Sequence, residues 1–283
     1  MSTQPIAKKM KSTKVIGTHS GTFHCDEALA VFMLRMTDEF HSAELVRTRD
    51  PLKLAPLDIV VDVGGIYSPE KHRYDHHQRG FTEVFGYGGY DKIKLSSAGL
   101  VFKHFGKHII ARKLGLGEED PNVEIIWLQV YSELIESVDA IDNGVDLCSG
   151  PPAYSVHSDL SSRIRRVNPN WNEPTSDAVY DEKFQIASDM TGEEFLSHID
   201  YFSKAWLPAR DIVKDALAKR LEVDPSGAIA VFQQSAPWKD HLFTLEPNLA
   251  SAPSAILYIL YPEGDEPGSR WRIHTGEAYE MQI

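Results

Sequence analysis

Between residues 14 and 65 the chain alternates strand-like and helix-like periods in an order that few folds accept. The run "KVIGTH", 14–19, is short and apolar and is followed by a turn, "GTFHCD", so it reads as a buried strand. In "DEALAVFMLRM", Leu29, Phe32, Met33 and Met36 stand at helical spacing, and Asp26 is placed to cap the start. Two further strands are predicted at "ELVRTR" and "LDIVVDVGG", the second reaching Asp62 before a pair of glycines. Strands alternating with helices predict parallel βα units and an α/β fold. Sites in such folds collect at the carboxyl ends of strands. His19 and Asp62 both fall at such ends.

Further along, "GYGGYDKIK" reads as an exposed glycine-rich loop and "SSAGLVFKHFGKHIIARKL" as a helix begun by Ser96 and Ser97. A stronger helix is predicted in "NVEIIWLQVYSELIESV". Val123, Ile126, Trp127, Val130, Leu134 and Val138 form its apolar stripe, and it delivers "DAIDNG", 139–144, at its end. After a break at "CSGPPAY", helical segments are expected near 158–167, 177–200 and 203–222. The texture then changes. "GAIAVFQ", "HLFTLE", "SAILYILYP" and "SRWRIHT" are short strand-like runs between turns, and they predict a second, smaller α+β domain from about 205 onward.

Length and composition allow this division. At 283 residues the chain can build two cores, and 42% hydrophobic with 25% charged residues is ordinary for a soluble globular protein. No apolar run approaches the roughly 18 residues of a membrane span, so no membrane partner is expected. The start, "MSTQPIAKKMKSTK", has four lysines, no arginine and no apolar core, which fits neither a secretory leader nor a good transit peptide. Two cysteines, Cys25 and Cys148, provide no disulfide framework and fit a reducing compartment. The net charge of −12 argues against broad polyanion binding but suits a chain that gathers carboxylates around cations.

The clustered histidines and acids of the first 145 residues are His19, His24 and Asp26, then Asp62, then Asp75, His76 and His77 in "RYDHHQRGF", then Asp139 and Asp142. Taken singly, most have an ordinary explanation: a strand-end polar residue, a helix cap, a turn. Taken together they lie at strand ends, turns and helix ends, where side chains converge. Imidazole mixed with carboxylate suits Mn²⁺, Fe²⁺, Co²⁺ or Zn²⁺ better than Ca²⁺. Two such ions about 3.5–4 Å apart can share a carboxylate, deprotonate a water and clamp a phosphate.

The strings "GTHSGTFHCDEALA", "VVDVGGIY", "RYDHHQRGF", "KLSSAGLV", "VDAIDNG", "NPNWNE", "WLPAR", "VDPSG" and "PWKDHL" resemble the MYG-type exonuclease family of the DHH phosphoesterase superfamily, over about residues 13 to 273. The resemblance implies a DHH-type parallel-sheet domain with helices on both faces, spanning 13–200 and carrying metal and catalysis. A smaller α+β substrate-binding domain, possibly incomplete, would span 205–283. It further implies 3′-to-5′ removal of nucleotides from single-stranded RNA or short oligonucleotides, in the nucleus, the mitochondrion or the cytoplasm. No oligomeric state is implied. The cofactors would be two divalent ions, Mn²⁺ before Mg²⁺ or Co²⁺. Carried over by motif, His19 and His24 would hold one ion, Asp26 and His76 the other, and Asp62 would bridge. Asp142, or else Asp139, would complete the set. Asp75 would orient an imidazole, and His77 would reach toward the substrate phosphate. Ser96, Ser97, Arg210, Lys239 and His241 are the expected substrate contacts.

Three departures qualify this expectation. The superfamily's first motif is usually His-x-x-x-Asp-x-Asp, whereas His19 and His24 stand five apart and His24 replaces an acid, which favours softer ions. The chain closes with "HTGEAYEMQI" where family members continue into a further glycine-rich substrate loop. The RNA path must be local, with "RIRR" at 163–166 as another candidate. Alternative readings keep the chemistry on a small phosphodiester or pyrophosphate, or leave a metal-binding paralogue without turnover. A single structural Zn²⁺ is a third alternative, but such sites favour cysteines, and only Cys25 is near.

Overall fold

The computed structural model describes residues 13–248, 255–264 and 266–275. The lysine run before residue 13 and the closing "GEAYEMQI" lie outside them. The chain divides into two compact units, Met1–Ile199 and Asp200–Ile283.

In the first unit the elements follow the order β1 (Val15–Thr18), α1 (Cys25–Arg35), β2 (Glu44–Arg47), the single turn α2 (Pro51–Leu54), β3 (Ile59–Val61), β4 (Tyr67–Ser68) and β5 (Arg73–Tyr74). Helices α3 (Ser97–Leu114), α4 (Pro121–Val130), α5 (Glu136–Asp142), α6 (Leu160–Arg165) and α7 (Asp177–Tyr201) follow. The strands form one sheet in the order β2-β1-β3-β5-β4. Its first four members are parallel: Ile16 faces Leu45 on one side and Ile59 on the other, and Val60 faces Arg73. Only the edge strand β4 runs antiparallel, against β5. This is the α/β arrangement expected, a parallel-strand sheet flanked by helices.

The central strands are short and enclosed: Ile16, Ile59, Val60 and Val61 are buried. Parallel strands covered on both faces read as continuous apolar runs rather than alternating ones. α1 is buried almost all round, with Leu29, Val31, Met33 and Leu34 at 0% exposure. Small residues let helices approach closely: a Cβ on Gly192 of α7 would overlap the Phe32 ring of α1, and one on Gly106 of α3 would meet Trp127 of α4.

Two local expectations change. Asp26 does not cap α1: the N-cap is His24, and Asp26 lies inside the first turn. The helix through 122–138 is interrupted by a π turn, Tyr131–Ile135, between α4 and α5.

The second unit contains α8 (Leu207–Val223), β6 (Ile229–Val231), α9 (Lys239–Leu245), β7 (Tyr258–Pro262) and β8 (Trp271–Thr275). Its sheet runs β6-β7-β8, with the first pair parallel and the second antiparallel. Val213, Leu217, Phe232, Trp238, Leu242 and Ile259 form its core. "HLFTLE", expected as a strand, is helical because it belongs to α9, where Leu242 packs into that core and Phe243 stays exposed. Among the described residues no helix is long and apolar enough to cross a membrane.

Candidate metal centre

Three neighbouring parallel strands end in chemistry. β1 is followed by His19, β3 by Asp62, and β5 by Asp75, His76 and His77. Pairing these strands side by side brings residues distant in sequence within reach of one another, and the first turn of α1 adds His24, Asp26 and Glu27. The last helical turn of α5 adds Asp142.

Asp62 sits between two imidazoles. Its Oδ2 is 3.3 Å from His19 Nε2 and its Oδ1 is 3.3 Å from His76 Nε2. The residue adopts φ 57°, a left-handed conformation uncommon outside glycine and tolerated best by Asp and Asn. Such strain persists where the surroundings fix a side chain in a needed direction. His76 Nε2 also lies 3.2 Å from Asp142 Oδ2 and 3.9 Å from Asp26 Oδ2. Three groups of donor atoms lie within 4.8 Å of one another: His19, His24, Glu27 and Asp62; Asp62, His76 and His77; His24, Asp26 and Asp142. Asp62 joins the first two groups, and His24 joins the first and third.

The chemistry of this set fits divalent cations. Asp26 Oδ1 and His76 Nε2 are buried, and although two carboxylates stand within 3.3 Å of His76 Nε2, neither atom makes a well-aligned hydrogen bond among the described residues. Burial and the neighbouring carboxylates of Asp62, Asp142 and Glu27 push the Asp26 pKa well above the usual range. For His19, burial disfavours the charged ring, yet its contacts with Asp62 and Glu27 outweigh burial and raise the pKa to about 9. In the same way burial works against an ionised Asp62, but His19 and His76 hold its pKa below the ordinary carboxylate range. Protons on these imidazoles balance buried negative charge that a metal cation would balance more fully.

Glu27 escaped the sequence reading. It is fully buried, accepts the backbone N–H of His24 at 2.9 Å, and sits 2.9 Å from His19 Nε2. The first contact is the reciprocal half of a capping box, and that spacing was the available signal. Arg49 was missed as well. It lies 3.0 Å from His19 Nδ1, donates to the Ser20 carbonyl, and lines a cleft of about 220 Å³ with Asp62, Gly64, Gly65 and His77. The loop between His19 and His24 is pinned from outside. Asn168, in "NPNWNE", accepts the Phe23 N–H at 3.0 Å and donates to the Phe23 carbonyl at 2.9 Å. Arg47, stacked on Phe184, donates to the Gly21 carbonyl at 2.8 Å.

Asp75 turns toward His77, not His76: its Oδ1 is 2.7 Å from His77 Nδ1, and its Oδ2 accepts the Gly65 N–H at 2.5 Å. With Nδ1 committed to a carboxylate, the other ring nitrogen of His77 is left for outside partners. The His77 side chain is 61% exposed. The hydrogen bond to Asp75, opposed by burial, raises its pKa above the ordinary value.

Asp139 separates from Asp142. It is fully buried, and its Oδ1 accepts from the Ser96 N–H, the Ser96 hydroxyl and the Gly99 N–H at 2.8, 2.7 and 3.1 Å. It belongs to none of the three donor groups. Its carboxyl anchors the start of α3. Burial, only partly offset by those hydrogen bonds, lifts its pKa to about 7. The folded protein therefore keeps a proton between about pH 4 and 7 that the unfolded chain releases, so the associated stability is whole below about 4 and is lost as pH rises through about 7. Asp139→Asn is expected to flatten that part of the melting-temperature profile, measured by thermal denaturation across pH 4 to 8.

The expected substrate contacts fare differently. Ser96 and Ser97 are fully buried. Ser96 donates to Asp139, and Ser97 donates to Asp62 Oδ1 at 3.0 Å and to the Tyr74 carbonyl. Neither has a face open to a substrate; both support carboxylates. In the second unit His241 is likewise fully buried, with Nε2 2.7 Å from the Trp206 carbonyl, so its ring is used internally. Arg210 is half-buried on α8, and Lys239 is exposed at the start of α9. Cys25 is buried and its thiol is pushed up to about 12 by burial, which leaves it a poor ligand.

Comparison with known proteins agrees with the motifs. The family model MYG1_exonuc, described as an uncharacterised protein family (UPF0160), matches residues 15–281. The human protein named MYG1 exonuclease is 49% identical over 270 residues, covering 94% of this chain and 70% of its own length. The MYG1 protein YER156C of Saccharomyces cerevisiae is 40% identical over 281 residues, covering 97% and 81%. The MYG1 protein C27H6.8 of Caenorhabditis elegans is 44% identical, covering 93% and 77%. No solved structure matches the chain.

Proposed function

Because the chain belongs to the MYG1 exonuclease family, we propose that it is a metal-dependent phosphodiesterase that removes nucleotides from the 3′ end of single-stranded RNA. The observation that carries this reading is the Asp62 carboxylate, with one oxygen toward His19 and the other toward His76. That placement supports a ligand shared by two cations. His19, His24, Glu27 and Asp62 would hold one ion, and Asp26, Asp62, His76 and Asp142 the other, with Mn²⁺ the first choice for a mixed imidazole and carboxylate set. Two divalent cations bound there supply a lowered water pKa and positive charge facing a phosphodiester.

The chain's own groups do the rest. Asp75 fixes the His77 ring so that its free nitrogen meets the phosphate region. Arg49 sets a guanidinium beside His19, where an anion would otherwise face mostly carboxylates. Ser97 holds the Asp62 oxygen on the His76 side, and Glu27 ties His24 to the helix start. Each of these contacts removes freedom from a group that must be in place before reaction.

The test is direct. The full chain is incubated with Mn²⁺ and single-stranded RNA labelled at its 5′ end, with an identical DNA strand and a 3′-labelled RNA in parallel. A ladder shortening from the 3′ end, absent in His76→Ala, is the expected result. Internal cuts, shortening from the 5′ end, or an unaffected His76→Ala would overturn the assignment.

A further inference from the structure

His24 and His77 form a wall common to two clefts. The smaller contains Arg49. The larger, about 460 Å³, is also lined by Cys25, Ile141, Asp142, His157, Ser161, Ser162 and Arg165. Its volume falls within the roughly 300–1,000 Å³ of small-molecule sites, whereas the 220 Å³ of the other falls below it. The arginines of "RIRR" are used unequally. Arg163 pairs with Glu194 at 3.2 Å, and Arg166 donates to the His157 carbonyl at 2.9 Å. Arg165 alone of the three lines the cleft, and among the described residues its guanidinium has no hydrogen bond or ion pair.

An unpaired guanidinium in the same cleft as Asp142, His24 and His77 is suited to a bidentate hold on phosphate. Ile141 is 46% exposed and offers an apolar face to a base. The hydroxyls of Ser161 and Ser162 and the ring of His157 offer polar partners to a sugar.

We propose that this cleft seats the terminal nucleotide of the substrate and then the nucleoside 5′-monophosphate released from it, with Arg165 on the phosphate. The inference rests on the nuclease reading above. Water adds across the bond between phosphorus and the 3′-oxygen of the penultimate nucleotide. Its oxygen joins the phosphorus, that P–O bond breaks, and a proton passes to the departing 3′-oxygen. The phosphate stays with the terminal nucleoside, so the product retained in the cleft is a 5′-monophosphate.

Calorimetric titration of the full chain with adenosine 5′-monophosphate in the presence of Mn²⁺ provides a readout independent of turnover. Arg165→Ala should weaken binding about tenfold and lower kcat/KM for an oligonucleotide by at least a similar factor, with the bound-metal count unchanged. Arg165→Lys should recover part of the affinity, and Ile141→Trp, which fills the cleft, should weaken binding as well. No binding to the unaltered protein, or unchanged affinity in both Arg165→Ala and Ile141→Trp, would overturn the proposal. Should the protein cleave RNA in a His76-dependent way while these variants bind normally, the cleft assignment fails alone. Should it bind the monophosphate through Arg165 yet cleave no oligonucleotide, the cleft stands and the nuclease reading fails.

Discussion

Asp62→Asn is expected to lower turnover by about a thousandfold or more, the scale of losing several kcal/mol of charge stabilisation at a two-cation site. The amide keeps the shape of the carboxylate and tolerates the left-handed backbone at φ 57°, so the loss isolates charge from strain. It neutralises the carboxylate that, among the described residues, faces both His19 and His76. Bound metal, counted by mass spectrometry, should fall from two ions to one or none. Stability of the metal-free protein should fall, because the ionised Asp62 carboxylate, held below the ordinary pKa range by His19 and His76, is a favourable charge where it sits. A variant that retained two ions and turnover within about tenfold would show that Asp62 does not bridge.

The second large effect is on stability. Asp139→Ala leaves the Ser96 N–H, the Ser96 hydroxyl and the Gly99 N–H buried without an acceptor. Buried donors left unpaired cost about 1–3 kcal/mol each, and partial relaxation makes roughly 3–5 kcal/mol in total a reasonable expectation. For a unit of this size that is a fall of about 10 °C in melting temperature. Gly99→Ala should act the same way, since its Cβ would overlap the Asp139 carboxylate. Both variants should still bind two metal ions when folded. Asp142→Asn should do the opposite, losing metal while melting nearly as before. If Asp139→Ala lost metal without losing stability, the division of roles between these two acids would be reversed.

That division could not be read from "DAIDNG" alone. Both acids lie on the last part of one helix, three residues apart, and only the packing of α3 against α5 decides which carboxyl meets backbone donors and which meets His76. Much else was legible. The order of the first strands and helices followed from apolar periods, and the positions of His19 and Asp62 at strand ends followed from the parallel fold, whereas the two-residue strand that delivers the Asp75–His77 triplet is too short to leave a period. Glu27 was overlooked because an acid in the first turn of a helix is explained by capping, and nothing in the sequence shows that the same carboxylate also reaches His19. Ser96, Ser97 and His241 were misplaced for a related reason. A polar side chain beside a motif reads as exposed, whereas each of these is enclosed and uses its hydrogen bonds internally. "HLFTLE" looked like a strand because six residues are too few to separate the two periods.

The parallel sheet also dictates when the cluster can exist. Its groups come from residues 19, 24–27, 62, 76–77 and 142, and the pairing that first unites β1 with β3 joins Ile16 to Ile59, 43 positions apart (59 minus 16). Contacts of such long sequence separation form late and slowly. No short stretch of the chain carries a full set of ligands, so a divalent ion has nothing to nucleate on while the chain is still collapsing, unlike the metal in a zinc finger. Cations taken up by this cluster would enter a scaffold already built, and their uptake would serve as a stopwatch for the moment when the three strand ends come into line.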